Sequence, residues 1–289
     1  MSADPNLSAA APIQQASLEV FAYARRGAGL HVGPDTRGPG DVIDIAEEFH
    51  EASKMRAGFP GAALGPAGPL LVSDYDAHLA LGRKALTCSG PAVALPPPQS
   101  VPAELLSVAR RRRSALPEQC RAVSLDVLGT VLAASAGAIP GRPERRAVPS
   151  AGALYPIDVV VVAHDVAGLP RGAYVHDPIE HALLPRGDID PVRFHTEVGD
   201  SIAPHQPAVT LALVATFARS RAKYGLRGYR FSLLEAGHLA QNALLIATAL
   251  GLAALPWGGF VDAAADRLLE LDGLDRGCVY LVGLSGEPT

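Results

Sequence analysis

Lys223 and Tyr224 stand side by side, and an amine next to a phenol can do general acid–base work where burial and neighbouring charge tune the two groups. Arg219, Arg221, Arg227 and Arg230 surround them and are expected to supply a cationic field that draws both towards neutrality. Two further segments have a composition suited to a ligand. In Pro149-Ser150-Ala151-Gly152-Ala153-Leu154-Tyr155-Pro156, Pro149 fixes φ, and Ser150, Ala151 and Gly152 are small enough to bring main chain close to a flat molecule. In Pro256-Trp257-Gly258-Gly259-Phe260, two adjacent glycines let a main-chain N–H reach an acceptor on a ring. Taken singly, these are a charged surface loop, the lead-in to a strand and a glycine turn. Their occurrence in one chain predicts a site for a flavin, whose N5 is such an acceptor.

A fourth segment, Arg110-Arg111-Arg112-Arg113-Ser114, closes an expected helix. It is either a solvated basic terminus that complements the helix dipole or a phosphate site built from guanidinium forks and a hydroxyl. Glu235, His238, Gln241 and Asn242 lie on a long helix, with His238 and Asn242 sharing a face. No third ligand falls at suitable spacing, so no metal site is expected and these read as satisfied polar groups.

The elements that must position these residues follow from periodicity and breakers. Helices are expected at Asp41–Met55, Pro102–Arg113, Leu125–Ala136, Pro191–Ile202, Phe231–Leu252 and Ala263–Leu271. Strands are expected at Ile157–Ala163, Val209–Phe217 and Cys278–Leu284, with a hairpin of Ala173–His176 and His181–Leu184 around Asp177-Pro178. The near-continuous apolar run of Ile157–Ala163 predicts burial on both faces. Residues 1–16 are expected to be disordered, and Ala57–Gln99 reads as a Gly/Pro-rich connector with short strands such as Pro69–Ser73.

Composition narrows the class. The chain has 289 residues, 48% of them hydrophobic, and a mean hydropathy of +0.19, enough for a packed core. Net charge is −4, which offers no general field for nucleic acid or an anionic membrane. Cys88, Cys120 and Cys278 lack paired spacing, and neither a secretory signal nor a membrane span is evident, so a cytoplasmic protein is expected. Lysine occurs only at 54, 84 and 223, which gives Lys223 added weight.

Together these segments resemble the nitroreductase superfamily, and within it the SagB-type azoline dehydrogenases that mature thiazole/oxazole-modified peptides. The resemblance runs from Leu105 to the C-terminus. It is carried by Arg112-Arg113-Ser114, the 149–156 segment, Gly172-Ala173-Tyr174, the segment from Lys223 to Phe231, the segment from Glu235 to Asn242, and Gly258-Gly259-Phe260 with Asp262. His50-Glu51-Ala52-Ser53-Lys54 is similar to an element of the same subfamily. Leu116 and the Gly-Glu-Pro-Thr end depart from it, standing where many relatives have basic residues.

The resemblance implies an α+β fold with a mixed sheet wrapped by helices, homodimeric and binding FMN at the dimer interface. Residues 1–100 would be an accessory recognition region and 101–289 the FMN domain. Arg112, Arg113 and Ser114 would bind the FMN phosphate and ribityl chain from one subunit, and Pro149, Ser150, Ala151 and Gly152 of the other would lie along the ring. Trp257, Gly258 and Gly259 would sit near N5, and Lys223 and Tyr224 would be the catalytic pair. The implied activity is oxidation of a peptide thiazoline or oxazoline to the azole, with a cyclodehydratase as a possible partner. The rival readings are a flavin oxidoreductase acting on a carrier-bound or small molecule, and a non-catalytic flavin-fold scaffold.

Overall fold

The computed structural model describes residues 45–54, 86, 88–114, 116, 118–199 and 205–286. The chain divides into two compact units, Met1–Arg56 and Ala57–Thr289. In the first, α1 (Ile45–Ala52) ends in the His50 to Lys54 element, where Lys54 pairs with Glu51 and Ser53 Oγ donates to His50 O at 3.1 Å. The expected strand at Pro69–Ser73 lies outside the described residues.

The second unit is built on a seven-stranded sheet. Its strands are β1 (Val93–Ala94), β5 (Ile157–Ala163), β7 (Gly172–Asp177), β8 (Ala182–Pro185), β9 (Val209–Thr216), β10 (Leu252–Trp257) and β11 (Arg276–Gly286), in the order β1-β8-β7-β5-β9-β11-β10. Every pairing in it is antiparallel. The α+β class therefore holds, and the parallel pairing expected of a mixed sheet is confined to a two-stranded ribbon of β2 (Val123–Ser124) and β6 (Val166–Ala167). A small hairpin joins β3 (Ala138–Ile139) to β4 (Arg142–Arg146).

Side-chain alternation gives the sheet two cores. Ile157, Val159, Val161 and Ala163 of β5 face one core, with Leu128, Val131 and Leu132 of α3 (Leu125–Ser135) and Ala236, Leu239, Ala240 and Ala243 of α6 (Leu226–Ala249). Val160 and Val162 face the other, with Phe194 and Val198 of α4 (Pro191–Val198) and Ala264 and Ala265 of α7 (Asp262–Leu268). The apolar run is thus buried on both faces, as its composition requires. Small alanines on α6 let its axis lie close to the strands. Leu86 and Leu95 join these cores and β1 pairs with β8, so a boundary at residue 100 would cut through this body.

Helix α2 (Leu105–Arg111) stops two residues short of the expected Arg113, and Arg112 leaves it in an extended conformation (ψ 126°). The largest differences lie around Lys223. Phe217–Tyr224 forms helix α5 where a loop was expected, and α6 begins at Leu226 rather than Phe231. Gly225 separates the two helices at φ 56°, ψ −137°, a conformation that only glycine adopts readily. Among the described residues no helix is long and apolar enough to cross a membrane.

Candidate active site

Sheet topology delivers the chemistry-bearing segments to one end. Strand β5 begins opposite the end of β9, with Ile157 paired to Ala215, so the 149–156 segment entering β5 meets α5 leaving β9. Thr216 N donates to Pro156 O at 2.8 Å across this junction. Strand β10 runs parallel to β9 with β11 between them, so Gly258 and Gly259 leave the sheet towards the same end.

Direct contact joins two of the segments. Ala151–Ala153 makes a single 3₁₀ turn in which Gly152 has φ 62°. A β-carbon on Gly152 would lie 2.4 Å from Tyr224 Oη and 3.1 Å from Lys223 Nζ, so glycine is what admits both side chains to this main chain. Ala153 and Tyr155 also have positive φ (53° and 45°), strain that persists only where surroundings over-determine the backbone.

Those surroundings are polar and buried. Arg219 donates to Tyr155 O at 3.0 Å and holds Asp158 through both terminal nitrogens, at 3.0 and 2.9 Å. Tyr155 N donates to Ser150 Oγ at 2.9 Å, Arg146 N donates to Tyr155 Oη at 3.0 Å, and the Arg146 guanidinium lies 4.5 Å over the Tyr155 ring. Glu235 reaches this set from α6, bonding the Ser150 side chain and the Ile157 main chain. Burial raises its carboxyl to about 7, against the opposing pull of those bonds and of Arg146 and Arg219.

Lys223 and Tyr224 are half-buried, with the ammonium 5.6 Å from the phenol ring and Tyr224 edge-on to Phe231 at 5.1 Å. Desolvation raises the Tyr224 phenol above its ordinary value, opposite to the expected cationic lowering. Arg219, placed by sequence in that field, instead binds Asp158 and Tyr155.

The remaining sequence-derived residues are placed differently. Arg112 donates to Ser114 Oγ at 3.0 Å; Arg112 is half-buried, whereas Arg113 and Ser114 are exposed. Pro149 is exposed and Ser150 and Ala151 half-buried. Trp257 is 5% exposed and packs in the core of α4 and α7, on the sheet face away from Tyr155. Its indole therefore does not line the site, whereas the Gly258 and Gly259 main chain is exposed. His238 and Gln241 face solvent, and Asn242 Nδ2 donates to Ala147 O at 3.5 Å. Arg146 and Asp158 were not picked out by sequence pattern, and Glu235 was read only as a satisfied polar group. A carboxylate inside an apolar strand, as Asp158 is, demands a buried cation and was the available signal.

Residues 109–286 match the nitroreductase family. The chain is 32% identical over 169 residues to a candidate nitroreductase of Methanocaldococcus jannaschii, covering 55% of this chain and 81% of that protein. It is 33% identical over 134 residues to the microcin B17-processing protein McbC of Escherichia coli, covering 44% of this chain and 49% of McbC. One chain of the Escherichia coli microcin synthetase McbBCD complex with truncated pro-MccB17 bound has the same fold. The TM-score is 0.54 at 23% identity, over 96% of this chain and 94% of that one.

Proposed function

This chain belongs to the nitroreductase family, and from that premise we propose that it is an FMN-dependent dehydrogenase that oxidises peptide thiazolines or oxazolines to azoles. The observation that carries the reading is the seating of Lys223 Nζ and Tyr224 Oη against the bare main chain of Gly152. Similarity to a microcin-processing protein supports a peptide substrate, and a cyclodehydratase partner belongs to the same reading.

The residues present fit a flavin. Main chain at 149–152 carries only small side chains and is partly open to solvent, and the half-buried Arg112 and the exposed Arg113 and Ser114 offer donors. Arg112, Arg113 and Ser114 would hold the phosphate and ribityl chain. Pro149 to Gly152 would lie along the ring, and the Gly258–Gly259 main chain would serve N5. FMN, when bound, supplies the acceptor for the hydride that leaves the azoline ring. The chain must take up the accompanying carbon-bound proton. With the Tyr224 phenol held protonated by burial, Lys223 Nζ is the group assigned to accept that proton, and Tyr224 Oη donates a hydrogen bond that orients the heterocycle. The balance is one hydride and one proton lost per ring.

A homodimer accompanies this reading. Leu226, Leu233 and Leu234 of α6 and Leu105 and Leu106 of α2 are exposed apolar side chains that a second copy would cover.

The test uses purified protein and an azoline-containing peptide. Native protein is expected to be yellow, to release FMN on denaturation and to lower the peptide mass by two daltons per ring. Lys223→Ala and Tyr224→Phe are expected to keep FMN and slow oxidation by about 10²–10⁴-fold. Colourless folded protein without FMN affinity, or near-native turnover in both variants, would overturn the reading.

A further inference from the structure

The 150–157 segment is held at both ends by one side chain. Ser150 Oγ accepts from Tyr155 N at 2.9 Å, which leaves its O–H to donate to Glu235, and the Ile157 main chain also bonds the Glu235 carboxyl. Between those two anchors lie Gly152, Ala153 and Tyr155, all at positive φ. Asn242, seven residues along the same helix and hence on the same face, reaches Ala147 O. Glu235 is 3% exposed, so this carboxyl was taken from water and set beneath the segment.

We propose that Glu235 is a positioning residue for the redox site: it clamps the strained 150–157 segment from below and so fixes Gly152 against Lys223 and Tyr224. This rests on the assignment of those three residues to the redox site. An alanine here would leave the Ser150 hydroxyl and the Ile157 amide without this acceptor.

Ionisation tunes the clamp. The groups facing the carboxyl are Arg146 from β4 and Arg219 from α5, with Asp158 of β5 already bound to Arg219. Both arginines are donors only, so a proton on Glu235 turns an acceptor oxygen into a donor directed at donors. With the carboxyl raised to about 7, the carboxylate that holds the segment forms as pH rises through neutrality.

The experiment pairs hydrogen exchange with kinetics. In flavin-free protein, exchange of the 148–158 amides, corrected for intrinsic rate, is expected to slow as pH rises from 6 to 8. Glu235→Ala and Ser150→Ala should each speed it by about tenfold, a loss of hydrogen bonding on the scale of 1.4 kcal/mol. In flavin-loaded protein, turnover should rise through an ionisation near 7 that Glu235→Gln abolishes, with the peptide KM little changed. Exchange that ignores both Glu235→Ala and Ser150→Ala, or a Gln variant that keeps the ionisation, overturns the proposal. If Glu235→Ala fails to fold, Ser150→Ala and Glu235→Gln decide it. Exchange needs no substrate, so a working clamp in wild-type protein that oxidises no azoline sinks the functional reading instead.

Discussion

Arg219 and Asp158 form a two-pronged ion pair, 3.0 and 2.9 Å long, between the first turn of α5 and the first turn of alternation in β5, with their side chains 2% and 12% exposed. The third donor contact of Arg219, to Tyr155 O, ties the pair to the strained segment beside Lys223 and Tyr224. Removing one partner strands a buried charge, which costs about 3–5 kcal/mol, whereas replacing both with apolar groups removes that penalty. Arg219→Met is therefore expected to lower stability by about that amount, and Arg219→Met with Asp158→Leu to recover part of it. Denaturant titration of the single and double variants reads this, and a double variant no more stable than Arg219→Met would contradict it.

Gly152 is the residue whose substitution most directly intrudes on the site. Alanine there would adopt φ 62° at a cost of about 1–2 kcal/mol, and its β-carbon would press on Tyr224 Oη at 2.4 Å. Gly152→Ala is expected to lower Tm by several degrees and to cut turnover about tenfold or more through displacement of Tyr224 and Lys223. Tyr224→Phe removes the closest atom but leaves the ring carbon at 3.3 Å, so in that background the stability cost should shrink without vanishing. A thermal-melt cycle over the four proteins measures the coupling, and strict additivity would show that the two residues do not touch.

Much of this arrangement was legible in the sequence because it follows from local pattern. The near-continuous apolar run of Ile157–Ala163 marked a doubly buried strand, and the small residues before it marked close main-chain approach. Lys223 and Tyr224 were found by residue type. Their setting was not, because Phe217–Tyr224 carries three cationic residues and no clean apolar stripe, and its helical state depends on packing against α6. Strand β10 was merged into the preceding helix and glycine turn because Leu252–Trp257 alternates poorly. Trp257 was assigned to the ring by its place in a motif, and only the two-sided sheet shows its indole in the opposite core. The roles of Asp158 and Glu235 are pairings across 60 residues and more, which single-sequence spacing does not encode, and that of Arg146 depends on the strained turn that brings Tyr155 back to it.

Two buried histidines set the acid side of the stability profile. Burial, reinforced by His195, lowers His164 from 6.5 to about 3, and burial, with His181 and Arg146 nearby, lowers His176 to a similar value. Both are held neutral when folded and take up protons when unfolded, so their stabilising effect is present above pH 6.5 and is lost as pH falls towards 3. Each should contribute a slope of about 1.4 kcal/mol per pH unit within that window. His176 Nε2 has no hydrogen-bond partner among the described residues, so His176→Leu should fold without losing a bond at that atom. Denaturant unfolding between pH 6 and 4.5 is expected to show a shallower loss for His176→Leu than for wild type. An unchanged slope would mean that His176 protonates without unfolding.

Truncation tests where the redox body begins. Upstream of residue 100, Leu86 belongs to the core that holds Val160 and Phe194, Leu95 to the core that holds Leu128 and Leu183, and β1 pairs with β8. The compact unit starts at Ala57. A chain beginning at Ala57 should keep the Tm and FMN content of the full protein. One beginning at Pro102 loses two buried leucines and the strand covering the β8 edge, and the leucines alone are worth about 2–5 kcal/mol each if truncated to alanine. It is expected to melt far lower or to aggregate through the uncovered β8. If residues 1–56, with the paired Glu51 and Lys54 at the end of α1, serve peptide recognition, the Ala57 chain should oxidise peptide with a raised KM and an unchanged kcat. Undiminished kcat/KM in the Ala57 chain would remove the recognition role from that unit, and a Pro102 chain as stable as the Ala57 chain would move the boundary back to residue 100.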